Sequence, residues 1–251
     1  MCVKKIWHTI RTVFGTDKKR YTTAIIVAAG LSQRFGGIAT KQMTELCGKP
    51  ILVHTLLAYE QADCIHDIII VAREEEIPAW EKACEDFAIS KVVKIVVGGK
   101  TRQASVLCGF EAIDDKTKYV AIADGARCLT TPEQIKDVCV AAYRHKAATA
   151  SHRSTDTVKI ANDKGFIDHT ADRDTVWLAQ TPQVFKTKLY RAAAYLALRD
   201  DFAATDDNSL VEFIGHAIKL VECGSQNVKI TTTEDMAVAE GILKARAEEQ
   251  L

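Results

Sequence analysis

From Tyr21 onward, short apolar runs of strand length alternate with longer stretches in which apolar residues recur at helical spacing. Ala24–Ala29 is an unbroken run of small and branched residues, as a parallel strand buried on both faces requires. The pattern predicts a helix over Ile51–Ala62, a strand over Asp67–Ala72, and a helix over Pro78–Phe87 with proline in its first turn. It continues with strand Lys91–Val97, helix Arg102–Ile113, strand Tyr119–Ala123 and helix Pro132–Lys146. This βαβα rhythm implies an α/β fold: a Rossmann-like, mostly parallel sheet with helices on both faces.

After about residue 150 the rhythm breaks. Thr157–Ala161 and Phe166–Thr170 flank Asn162-Asp163-Lys164-Gly165, a turn-rich stretch that reads as a hairpin with a loop longer than two residues. Both strands alternate apolar and charged residues, so the region 151–176 is expected to project as a β-arm. Alternation then resumes with helix Lys188–Leu198, strands Ala217–Glu222 and Val228–Thr231, and a final helix from Thr233. No repeat or linker interrupts residues 23–251, which are read as one domain.

Residues 1–22 form a different kind of segment. Val3, Ile6, Trp7, Ile10, Val13 and Phe14 share one helical face, and no acid precedes Asp17. An amphipathic helix that docks on its own domain is favoured over one lying on a membrane. The 33 basic and 33 acidic residues cancel, which argues against a nucleic-acid binder. The eight cysteines are scattered, without zinc-ligand spacing. With no signal peptide recognised, the reducing cytoplasm is the expected compartment.

Chemistry gathers where strands end. The first strand closes in Ala28-Ala29-Gly30, where small residues admit close approach, and Arg34 and Lys41 follow in the same loop. Neither a dinucleotide fingerprint nor a Walker loop fits: the glycine that Gly99-Lys100-Thr101 would need five residues earlier is Lys94. Two cations beside a glycine turn suit a polyphosphate at the carboxyl end of the sheet. Asp124, directly after its strand, is placed to hold Mg²⁺ against phosphate oxygens. Gly98-Gly99 permits another close approach, and Ser105, near the start of the next helix, could bond a ribose or base.

In order and at near-constant spacing, these segments resemble the 2-C-methyl-D-erythritol 4-phosphate cytidylyltransferase family. The resemblance rests on AlaAlaGly-x-x-x-Arg with Lys41-Gln42, GlyGly-x-x-Arg-Gln-x-Ser-Val and Asp124-Gly-Ala-Arg. It extends through Asp156-Thr157-Val158-Lys159, Asp172-Arg173, Thr181-Pro182-Gln183, Thr205-Asp206 and Asn227-Val228-Lys229. It implies a fold of nucleotidyltransferase type and the transfer of CMP from CTP to a sugar-alcohol phosphate. It also implies a homodimer in which each arm reaches the other subunit's site. By the family pattern Arg34 and Lys41 stabilise the transition state, and Arg173, Lys229 and Thr157 position the sugar phosphate. Asp124 binds the divalent cation, while Ala28, Ala29, Gly30, Gly99, Ser105 and Gly125 line the CTP site. Ala123, Cys128 and Thr40 depart from the common pattern of histidine, proline and proline, without removing a charged group. A ribitol 5-phosphate cytidylyltransferase is the nearest alternative, and a non-catalytic nucleotide binder the other.

Overall fold

A computed structural model describes residues 20–30 and 41–249. The expectations for the N-terminal helix and for Arg34 fall outside those residues. Strands β1 (Thr22–Val27), β4 (Asp67–Ala72) and β6 (Tyr119–Asp124) are buried along nearly their whole length. Their branched side chains have nowhere to go but two apolar faces, so the runs TTAIIV, DIIIVA and YVAIAD become central strands. A two-stranded turn, β2 (Glu45–Leu46) with β3 (Lys49–Pro50), lies between β1 and β4.

The sheet has seven strands in the order β11-β7-β10-β6-β1-β4-β5. Here β5 is Val92–Val97, β7 Ala147–Arg153, β10 Trp177–Lys186 and β11 Lys219–Glu222. Strand β10 runs antiparallel to both β6 and β7, and the other pairs are parallel. Helices α1 (Ile51–Gln61), α2 (Ile77–Asp86) and α4 (Pro132–His145) contribute to the core on one face. On the other face pack α3 (Arg102–Glu111), α5 (Thr187–Arg199) and α6 (Asp207–Phe213). A third cluster tucks α7 (Thr233–Glu248), through Ala239, against Leu129 and Ile230.

The chain leaves β1 toward β4 and β5, then returns to lay β6 on the other side of β1. That reversal opens a crevice beyond the carboxyl ends of β1 and β6, where open α/β sheets take their ligands. Register puts Val27 beside Val71 on one side and Asp124 on the other.

The arm is present as strands β8 (Lys159–Ala161) and β9 (Ile167–Thr170), paired antiparallel and exposed along both faces. One expectation fails: Val228–Thr231 is not a strand. Its backbone is tied to a loop instead, Ile230 donating to the Ala126 carbonyl at 2.9 Å. Strands β2, β3, β7 and β10 and helix α6 are additions to the predicted set.

Candidate functional site

A cleft of about 760 Å³ lies at the reversal, and Val27, Ala72 and Asp124 line it from the ends of β1, β4 and β6. Asp124 is only 9% exposed. Its amide donates to the Thr181 hydroxyl of β10 at 3.1 Å, which fixes the end of the strand. Three cations meet its carboxylate. Lys229 Nζ lies 2.9 Å from Oδ2, Arg102 Nε 3.2 Å from Oδ1, and Arg127 Nε 3.7 Å from Oδ2. Burial pushes the carboxyl up, but the charges of Lys229, Arg102 and Arg127 outweigh it and hold the group at about 2. Asp124 is therefore ionised across the working pH range.

Each cation is placed by its element. Arg102 opens α3, whose N-cap Thr101 accepts the Ala104 amide at 3.0 Å. Its NH1 donates to Asp207 at 2.7 Å, so one guanidinium spans two carboxylates. Burial opposes the Arg102 charge, yet Asp207 and Asp124 together raise its pKa above the ordinary value. Arg127 follows the turn after β6 and donates to the Asn227 carbonyl at 2.6 Å. Asn227 is fully buried, donating to the Thr181 carbonyl at 2.9 Å and accepting from Thr130 at 2.8 Å. Lys229 sits two residues beyond that anchor.

The glycines divide into two kinds. A Cβ on Gly98 would stand 2.4 Å from the Ala29 Cβ, and one on Gly125 would stand 2.9 Å from Leu52. Those positions are glycine because protein packs against them. All three line the cleft, but around Gly30 no described residue lies within 4 Å of a built Cβ. Ser105 is buried; its hydroxyl accepts the Gly99 amide at 3.1 Å and donates to the Thr101 carbonyl at 2.9 Å. It holds the glycine loop in shape from the cleft wall.

Residues 22–245 match the family model described as 2-C-methyl-D-erythritol 4-phosphate cytidylyltransferase. The chain belongs to that family. Over 223 residues it is 43% identical to the 2-C-methyl-D-erythritol 4-phosphate cytidylyltransferase of Caldanaerobacter subterraneus, covering 88% of this chain and 98% of that protein. The enzyme of the same name from Geotalea uraniireducens is 42% identical over 226 residues, 89% and 97% of the two chains. Among solved structures, 4-diphosphocytidyl-2C-methyl-D-erythritol synthase from Anaerococcus prevotii superposes with a TM-score of 0.81 at 33% identity. That match covers 91% of this chain and all of that one.

Within this cytidylyltransferase fold, Ala29, Gly30, Lys41, Gly99, Ser105, Asp124, Gly125 and Lys229 all line the one cleft. Ala28 lies behind the lining, fully buried, with its amide donated to the Val71 carbonyl at 2.7 Å. Thr157 and Arg173 are exposed on the arm and do not line the cleft of their own chain. Sequence reasoning gave no role to Arg102, Arg127 or Asp207. The first two stood inside the quoted motifs, so proximity to Asp124 was the missing signal. Arg73, at the end of β4, also lines the cleft, with NH2 2.7 Å from Glu76. Among the described residues no three His, Cys, Asp or Glu side chains form a metal cage, and no helix is long and apolar enough to cross a membrane.

Proposed function

We infer that the protein transfers CMP from CTP to 2-C-methyl-D-erythritol 4-phosphate, releasing pyrophosphate, a step of non-mevalonate isoprenoid precursor synthesis. One observation carries the reading within the family: a single ionised carboxylate, Asp124, ringed by Lys229, Arg102 and Arg127 at the carboxyl ends of β1 and β6.

The reaction joins two anions. A phosphate oxygen of the sugar phosphate forms a bond to the α-phosphorus of CTP, and the bond from that phosphorus to the bridging oxygen breaks. Like charges oppose the encounter, so a cluster carrying more positive than negative charge is what the chemistry needs. Lys229 spends one ammonium donor on Asp124 and keeps two for an incoming phosphate. Lys41, on the cleft wall, suits the charge that grows on the leaving pyrophosphate. Arg34 is assigned the same duty on sequence grounds. The nucleophile is already ionised near neutral pH, so no side chain need remove a proton. Holding the reactants in line and neutralising charge supply the rate.

The site suits Mg²⁺. One carboxylate, completed by phosphate oxygens and water, is a donor set this ion commonly accepts, and Asp124 stays ionised to offer it. When bound, the ion would draw charge from the triphosphate.

The two-sided exposure of the arm, with Phe166 69% and Ile167 64% exposed near its tip, supports a homodimer in which Thr157 and Arg173 serve the partner's cleft. In that arrangement they position the sugar phosphate.

The test is pyrophosphate release from CTP offered with 2-C-methyl-D-erythritol 4-phosphate or with ribitol 5-phosphate. Turnover with the first and little with the second is the expected result. Release with ribitol 5-phosphate alone would move the assignment to the wall-polymer enzyme. CTP binding without release from either would make the protein a nucleotide binder.

A further inference from the structure

We propose that Asp207, although it lies outside the cleft, is a positioning residue of the reaction that holds Arg102 as a fixed donor to a phosphate oxygen of CTP. Asp207 is the first residue of α6 and is 1% exposed. Its Oδ1 accepts the Tyr190 hydroxyl at 2.7 Å, and its Oδ2 accepts Arg102 NH1 at 2.7 Å. Its own amide donates to Gln183 Oε1 of β10 at 3.0 Å, so the backbone beneath the carboxylate is anchored as well. A charge buried this far is tolerated only with a partner, and Arg102 is that partner.

Arg102 is pinned at two points. Nε is taken by Asp124 and NH1 by Asp207. A guanidinium is planar, so two fixed nitrogens settle the direction of the third. No described residue accepts from NH2, while Arg102 lines the cleft and keeps 29% of its side chain exposed. A donor held in this way loses little entropy when an anion arrives. Without the pull of Asp207, the fork would turn fully onto Asp124 in the bidentate manner arginine prefers, and its free edge would leave the nucleotide.

The inference rests on CTP being the substrate, but its decisive readout is binding. In Asp207→Asn, calorimetric affinity for CTP, measured without metal, should weaken about tenfold or more, the scale of one charge-assisted hydrogen bond. The KM for CTP should rise with it, while the KM for the sugar phosphate stays within twofold. Tyr190→Phe, which leaves the carboxylate in place, should shift CTP affinity in the same direction by less. A folded Asp207→Asn protein that binds CTP within twofold of the native protein overturns the proposal. A rise in both KM values together overturns it too, since it would mark a general loosening. If Asp207→Asn does not fold, Arg102→Lys decides: a lysine ammonium has no planar fork to fix a third donor towards the cleft while two are held by carboxylates, and undiminished CTP affinity there overturns the proposal. A native protein that binds CTP but releases no pyrophosphate would sink the functional assignment and leave the binding comparison intact.

Discussion

Asp124 shows how far one side chain's environment can be pushed by its neighbours. Because its carboxyl is held at about 2, its contribution to stability is complete above the usual carboxylate range and is lost only as pH falls towards 2. It therefore cannot set the acid limb of activity. The attacking phosphate can: its second ionisation lies near about 6. The pH profile of kcat/KM for the sugar phosphate should fall away below about pH 6, and a break near 4 would point to an enzyme carboxylate. Lys41→Ala should lower kcat by about 10²-fold or more, the cost of a lost donor to developing charge, and Arg34→Ala likewise. Steady-state kinetics check both, and native turnover in either variant removes that residue's assigned role. At this scale the sequence carried the residues that end a strand: Asp124, Gly30 and Lys41 could be named because strand, turn and charge are adjacent in the chain. Asp207 could not, because its meaning comes from Arg102, 105 residues away along the chain.

Among the elements, those with clean periodicity were readable. Strand β4 agrees with the predicted bounds, and α4 begins where Pro132 follows its capping threonine. Strand β10 was hidden because Gln180, Thr181, Pro182 and Gln183 interrupt any apolar alternation, and proline argues against a central strand. Yet these polar residues are buried, at 3% exposure or less for the two glutamines and the threonine, because they hold Asp124, Asp206 and Asn227 in place. The physical lesson is that a strand recruited to organise a site gives up the pattern by which strands are recognised. The glycine loop offers a test at the same scale. Gly98→Ala would drive a methyl group to 2.4 Å from Ala29, an overpacking that should cost about 1–3 kcal/mol in denaturant unfolding. Gly30→Ala, with no described residue within 4 Å of the new methyl, should leave unfolding unchanged and raise the KM for CTP. If both variants unfold alike, the distinction between Gly98, held to glycine by packing, and Gly30 is wrong.

For the whole molecule, the reversal of strand order fixes where the cleft lies; the alternation of strands and helices had placed it at the carboxyl end of a mostly parallel sheet, without saying between which strands. The arm was legible too, since charged and apolar residues alternating over a short span cannot be buried on both faces. What it reaches was not legible in that alternation and came only as an implication of the family resemblance. If arms cross between subunits, a mixture of Arg34→Ala and Arg173→Ala proteins should regain activity through heterodimers carrying one intact site. Half-site recovery in such a mixture is the expected outcome. No recovery despite subunit exchange shown by mass spectrometry would mean that each cleft is completed by its own chain.

Strand β10 begins at the root of the arm with Trp177 and passes under the cleft at Thr181, whose hydroxyl grips the Asp124 amide. Four residue steps, about 13 Å of extended backbone, separate the two places. Anchor and lever are thus one piece of chain. A force that steadies the hairpin steadies the acid, and a substitution that loosens the hairpin's base will be felt at the reacting phosphates without touching them.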